Sequence, residues 1–173
     1  LRRNAEEISR RAGREIRVVR AAVRDLEKAR ALAGDLPLTT NPFDVVDDPE
    51  IDIVVELIGG LEPAHELVMQ AIAHGKHVVT ANKHLVAKYG NEIFAAAQAK
   101  GVMVAFEAAV AGGIPIIKAL REGLTANRIE WLAGIINGTT NFILSEMRDK
   151  GLAFDTVLKQ AQELGYAEAD PTF

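Results

Sequence analysis

The sequence predicts an α/β chain, with a doubly wound parallel sheet over residues 1–107 and part of an α+β domain over residues 108–173. Three observations carry this. Short apolar runs alternate with amphipathic ones, and most of the amphipathic runs are closed by a glycine. The most apolar run, Ile51–Ile58 (IDIVVELI), reads as a central parallel strand covered on both faces. The connections are short, as expected when consecutive elements are neighbours in space.

Residues 1–12 carry apolar side chains only at Leu1, Ala5, Ile8 and Ala12, spaced three or four apart on a charged background. That spacing predicts a solvated amphipathic helix, ended by Gly13. Glu15–Val23 (EIRVVRAAV) reads as a strand buried in its second half. Arg24-Asp25 and a short helix over Leu26–Ala33 follow, ended by Gly34. Thr39–Asp48 reads as a loop with one helical turn, punctuated by Pro42 and Pro49. The Ile51–Ile58 strand ends at Gly59-Gly60. Pro63–His74 predicts a helix stopped at Gly75, and His77–Thr80 the next buried strand. Asn82 opens a helical region that continues, after a break near Gly90, to Lys100. Gly101 stops it, and Val102–Phe106 is a further strand. The order β-α-β-α-β-α-β is the doubly wound signature.

After Glu107 the pattern changes. Ala108–Pro115 (AAVAGGIP) is small and glycine-rich, and reads as the crossover between domains. Ile116–Glu122 is helical, and Arg128–Ile136, which contains Trp131, reads as a long strand. Thr139–Lys150 and Phe154–Leu164 read as two helices joined at Gly151, with Gly165 capping the second.

Composition narrows the function classes. With 49% hydrophobic and 25% charged residues, the balance is that of a soluble globular protein. A net charge of -4 argues against a nucleic-acid surface. The sequence has no cysteine, which excludes disulfides, a thiolate zinc site and a cysteine nucleophile. No apolar run approaches the ~20 residues that span a bilayer, and no signal peptide is visible, so the cytoplasm is the expected compartment. The chain opens without Met inside a charged stretch and closes on Asp170-Pro171-Thr172-Phe173, so both flanks of a longer protein are expected to be missing.

In a doubly wound sheet, ligands bind outside the carboxyl ends of the strands. Arg24-Asp25 follows a strand that would present a residue to an adenosine ribose. An acidic side chain there favours a free 2′-hydroxyl and an arginine a 2′-phosphate, so Arg24 points to NADP over NAD; a plain surface arginine would look the same. At Ile58-Gly59-Gly60 the missing side chains allow a cofactor close to the backbone, as would an ordinary helix-entry turn. At Thr80-Ala81-Asn82-Lys83, a lysine in the first turn of a helix is electrostatically misplaced, which suits meeting an anion or handling a proton. The four histidines show no metal-ligand spacing. Asn137-Gly138-Thr139-Thr140-Asn141 lies between an apolar strand and a helix, and reads equally as a ligand turn or a Thr-capped helix start. Tyr166 to Asp170 places a phenol and two carboxylates on a loop, where Glu168 is either solvated or able to meet an ammonium.

Together, VVELIGG (54–60), HVVTANKHLVA (77–87), FEAAVAGGIPII (106–117), GIINGTTNFIL (134–144) and GYAEADPTF (165–173) resemble homoserine dehydrogenase, in that family's order and spacing. The resemblance implies a Rossmann-like nucleotide-binding domain lacking its first strand, then a substrate and dimerisation domain. It implies NAD(P)-dependent interconversion of L-homoserine and L-aspartate 4-semialdehyde, on the route to threonine, isoleucine and methionine. It assigns cofactor contacts to Arg24, Ile58, Gly59, Thr80, Ala81 and Lys83, with Lys83 also the catalytic candidate. Thr139, Tyr166 and Glu168 would contact the amino-acid substrate. A monovalent cation, usually sodium, would be held by oxygens of Glu107, Val110, Gly112 and Ile114, as suits a hard cation. A homodimer or higher homo-oligomer is implied. The family's glycine-rich phosphate loop and its catalytic lysine would lie before and after this stretch, so the chain alone is expected to be weakly active or inactive. The alternative is a non-catalytic nucleotide-binding or regulatory module.

Overall fold

In the computed structural model, which describes residues 1–134 and 137–167, a glycine lies within two residues after each helix of eight or more residues. A 3-10 turn, Arg2–Asn4, leads into α1 (Ala5–Ala12), which stops at Gly13 in the left-handed conformation (φ 70°). β1 (Ala21–Ala22) is followed by α2 (Leu26–Ala33), β2 (Leu38–Thr39) and the single turn α3 (Phe43–Val46). Next come β3 (Ile53–Glu56), α4 (Ala64–Ala73), β4 (His77–Thr80), α5 (Lys83–Lys100) and β5 (Val104–Ala105). The order is that of an α/β fold. All pairing is parallel: β1 with β2 in one sheet, and β3-β4-β5 in another.

The core lies between the three-stranded sheet and two helices. Ala64, Leu67, Val68, Ala71 and Ile72 recur at three- and four-residue spacing, so α4 turns one apolar face inward. Leu85, Ile93 and Ala97 do the same for α5. They meet Val54, Val78 and Val104, which the register sets side by side on one sheet face. Each fully buried Leu, Ile or Val contributes about 1.5–3 kcal/mol.

Four expectations fail here for physical reasons. The strand expected over Glu15–Val23 is only Ala21–Ala22, because strand length is set by the partner, and β2 is two residues long. Leu38–Thr39, expected in or beside a loop, is that partner. β3 is covered on one face only: Ile53 and Val55 are 44% and 52% exposed, while Val54 and Glu56 are buried. The break near Gly90 is absent. Gly90 is buried in a continuous α5, where an added Cβ would sit 3.4 Å from the Phe94 ring. A mid-helix glycine costs only about 1 kcal/mol, which the apolar turns on either side outweigh.

β5 leads into α6 (Glu107–Val110) and α7 (Ile116–Lys118), which continues as a π-helical turn over Ala119–Gly123. This first compact unit ends at Thr125, and a second begins at Ala126. No strand forms among the described residues of the 128–136 stretch, and Ile129, Trp131 and Leu132 are exposed. A strand needs a partner, and no described segment supplies one. In the second unit α8 (Gly138–Lys150) and α9 (Phe154–Glu163) pack through Ile143, Val157 and Ala161.

Candidate functional site

At the carboxyl ends of β3 and β4 the apolar face of the sheet ends in polar groups. In register, Glu56 sits opposite Thr80, one step beyond the Val54–Val78 and Val55–Val79 pairs. Both side chains are buried, at 3% and 1% exposure. The Thr80 hydroxyl donates to Glu56 Oε2 at 2.5 Å, and the Ile58 and Gly59 amides donate to Oε1 at 2.7 and 3.2 Å. The Thr80 oxygen in turn accepts the Asn82 amide at 3.0 Å. Asn82, also buried, caps α5 by accepting the Leu85 amide at 3.0 Å and donates through Nδ2 to the Gly60 carbonyl at 2.6 Å. The turn after β3 and the turn after β4 are therefore tied together by a closed ring of hydrogen bonds.

Outside this ring the turn after β3 is open. Gly59 and Gly60 take positive φ (79° and 71°), and nothing lies within 4 Å of where a Cβ would stand on either. Only glycine offers both that backbone and that clearance, so a ligand can approach the peptide planes directly. Ile58 is half exposed; Ala81 is partly buried, its amide donating to the Glu56 carbonyl at 3.3 Å. Lys83 is exposed in the first turn of α5, which has no acidic residue. Thr80 is buried and has its proton committed to Glu56, so its hydroxyl is not open to a ligand.

At the end of β1, Asp25 is spent on helix α2: its Oδ1 accepts the Lys28 amide at 3.1 Å, and Oδ2 lies 3.7 Å from the Lys28 ammonium. Arg24 beside it is exposed and, among the described residues, has no hydrogen-bond or ion-pair partner. The acidic candidate for a ribose diol is therefore engaged and the basic one is available.

Glu107 is half buried, and its two oxygens accept the Ile117 and Lys118 amides at 2.7 and 3.0 Å, capping α7. Val110, Gly112 and Ile114 are exposed, Gly112 at φ 62°, and the Ile114 carbonyl accepts the Ile116 amide at 2.8 Å. Each of these oxygens keeps a lone pair. Among the described residues no group of three or more acidic, His or Cys side chains could hold a metal. The histidines are engaged elsewhere: His65 stacks on Tyr89 at 4.1 Å, His74 lies 3.0 Å from the Val46 carbonyl, and His77 accepts the Met103 amide at 2.9 Å.

In the second unit Thr139 and Tyr166 come together. With Gly138 and Phe142 they line a cavity of about 340 Å³. The Thr139 hydroxyl donates to the Tyr166 carbonyl, and the Phe142 and Tyr166 rings meet edge-on at 5.1 Å. α8 is capped by Asn137, whose Oδ1 accepts the Thr140 amide at 2.8 Å, and not by a threonine. Glu168 lies outside the described residues, as do Ile135 and Ile136.

Glu56 and the inward role of Asn82 are absent from the expectations drawn from sequence. The available signal was a carboxylate two residues from Val54 in an otherwise apolar strand, which places a charge on the buried face.

Parallel strands whose carboxyl ends carry open glycine turns and an asparagine-capped helix start make the first unit a Rossmann-like dinucleotide-binding domain. Residues 1–107 match the family profile described as homoserine dehydrogenase, NAD binding domain, and residues 115–173 that described as homoserine dehydrogenase. The homoserine dehydrogenase of Pseudomonas aeruginosa is 68% identical over 173 residues, covering 100% of this chain and 40% of that protein. That of Bacillus subtilis is 48% identical over 170 residues, covering 96% and 39%. A crystal structure of a homoserine dehydrogenase from Thiobacillus denitrificans is 92% identical with a TM-score of 0.93, over 100% of this chain and 40% of that one. A hyperthermophilic archaeal homoserine dehydrogenase in complex with NADPH is 29% identical with a TM-score of 0.71, over 98% and 48%. The chain belongs to the homoserine dehydrogenase family, with a domain of the type that binds a nicotinamide cofactor. It spans about 40% of the length of the bacterial relatives it matches. Among the described residues no helix is long and apolar enough to cross a membrane.

Proposed function

We propose that the protein containing this chain is an NADP-preferring homoserine dehydrogenase that interconverts L-homoserine and L-aspartate 4-semialdehyde in threonine, methionine and isoleucine biosynthesis, as a cytoplasmic homodimer or higher homo-oligomer. Residues 1–107 would form the cofactor domain and residues 108–173 part of the substrate and dimerisation domain. The family match along both parts supports the reaction. The cofactor preference rests on one observation: Asp25 is engaged as a helix cap, while Arg24 after β1 is exposed and has no partner among the described residues.

A nicotinamide dinucleotide fits the residues present, because the Gly59-Gly60 turn is open where a side chain would block the backbone. When bound, it supplies or accepts the hydride. Arg24 meets the 2′-phosphate, for which a guanidinium offers paired donors. The backbone of Ile58-Gly59 and of Thr80-Ala81 lines the dinucleotide. Lys83 offers an ammonium where negative charge develops on the substrate oxygen. Thr139, Tyr166 and Glu168 orient the amino acid, with Glu168 on its ammonium. The remaining lone pairs of Glu107, Val110, Gly112 and Ile114 suit a sodium ion.

The test is turnover by the full-length protein with L-homoserine and either NADP or NAD. The expected result is homoserine-dependent cofactor reduction, with kcat/KM favouring NADP by about tenfold or more. No homoserine-dependent turnover with either cofactor overturns the reaction; a preference for NAD overturns the role of Arg24.

A further inference from the structure

Among the described residues, Glu56 is the only buried acidic side chain. No cation pairs with it there: the one buried lysine, Lys76, is satisfied by the Asp48 and Ile51 carbonyls at 2.5 and 2.7 Å. A buried anion without a countercharge is costly unless hydrogen bonds satisfy it. Here two amides and a hydroxyl do so, and those donors belong to the two turns that flank the proposed cofactor site.

We propose that Glu56 is a positioning residue for the nicotinamide cofactor: its buried carboxylate locks the Ile58–Gly60 turn to the Thr80–Asn82 turn, so that their outer peptide planes and the start of α5 hold one fixed spacing. The inference rests on the functional reading above for the identity of the ligand.

The charge matters as well as the shape. Because both carboxylate oxygens only accept, the Thr80 proton must point inward and its lone pair outward to the Asn82 amide. That fixes the backbone of Asn82, whose side chain then caps α5 and reaches the Gly60 carbonyl. A glutamine at position 56 would still accept the Ile58 and Gly59 amides. Its amide group would face Thr80 as a second donor, however, and the ring would hold one proton too many. The hydroxyl would have to rotate, and the link between the two turns would be lost while the fold around it stayed.

The experiment uses the full-length protein as wild type, Glu56→Gln, Thr80→Val and the double variant. NADPH affinity is read from cofactor fluorescence, and kcat and both KM values from homoserine oxidation. Each single change should weaken NADPH binding about tenfold, the effect of losing one charge-assisted link in the ring. The homoserine KM should move less than about twofold, as expected for uniform loss of cofactor binding. The double variant should be no weaker than the worse single one, because both changes open the same ring. A merely structural role would lower the folded fraction, and with it kcat, and leave the NADPH affinity of the folded protein unchanged. That result, or additive effects in the double variant, overturns the proposal. If Glu56→Gln does not fold, Thr80→Val decides on the same criterion. A wild type that binds NADPH but does not oxidise homoserine refutes the reaction alone, and the affinity series then still decides the role of Glu56. A wild type that binds NADH and not NADPH overturns the role of Arg24 alone, and the affinity series is then read with NADH; one that binds neither overturns both.

Discussion

Replacing Asn82 by alanine should loosen the start of α5 far more than the equivalent change at Asn137 loosens α8. Both asparagines are helix caps of the same type, accepting an amide three residues on at 3.0 and 2.8 Å. They differ in surroundings. Asn82 is 6% exposed and its acceptor bond goes to Leu85, which is fully buried; Asn137 and Thr140 are exposed. Loss of an exposed cap costs about 1 kcal/mol. At Asn82 the freed Leu85 amide cannot reach water, which adds about 1–3 kcal/mol. The lost bond to the Gly60 carbonyl adds about 0.5–1 kcal/mol, since that carbonyl sits on an exposed turn. The sum is about 2.5–5 kcal/mol at α5 against about 1 kcal/mol at α8. Native-state hydrogen exchange on the full-length protein reads this directly. Peptides covering the first turn of α5 should exchange about 70- to 4,000-fold faster in Asn82→Ala, and those covering the first turn of α8 about fivefold faster in Asn137→Ala. Equal acceleration in the two helices, or less than about threefold at α5, would refute the argument that burial of the capped amide sets the cost.

Other outcomes follow from the same geometry. Arg24→Ala should raise the KM for NADP about tenfold and leave that for NAD within about twofold, because only the 2′-phosphate distinguishes them; unchanged selectivity in steady-state kinetics removes Arg24 from the site. Thr139→Val should raise the homoserine KM about tenfold with little effect on the cofactor KM, as loss of one polar contact to the substrate predicts; equal shifts in both would count against a substrate role. Glu7 is held below the ordinary glutamate range first by the Arg10 guanidinium and then by Arg11. Its folded value is depressed, so its contribution to α1 is present above the unfolded glutamate value and disappears as pH falls through the folded one. A carboxyl titration by NMR should show that midpoint below the ordinary value, and Arg10→Ala should move it back up.

The sequence makes the element order legible because glycine stops and asparagine caps are local. Gly13, Gly34, Gly75, Gly101, Gly151 and Gly165 all end helices with positive φ, as their positions after apolar-periodic runs imply. Strand lengths are not local, because a strand extends only as far as its partner. Glu15–Val23 has the composition of a strand over nine residues, but only the two that meet β2 pair. The residues from Arg128 to Gly134 have strand composition and no partner among the described residues. The break at Gly90 was a propensity argument that packing against Val86 and Phe94 overrides. At the site, the exposed positions Arg24, Gly59 and Lys83 were visible as punctuation at strand ends. Glu56 was hidden because the Ile51–Ile58 run reads as a strand covered on both faces, in which neither Asp52 nor Glu56 stands out. The register with Thr80 and the burial it shares with Val54 show that the carboxylate faces inward.

A crystal structure of the full-length protein with NADPH is the most direct measurement of where the cofactor lies. It should place the 2′-phosphate within about 2.7–3.2 Å of the Arg24 guanidinium, with the dinucleotide against Gly59-Gly60 and the Thr80–Lys83 turn and the Glu56 ring intact beneath it. NADPH bound away from these two turns, or a 2′-phosphate that leaves Arg24 without a contact, would contradict the account.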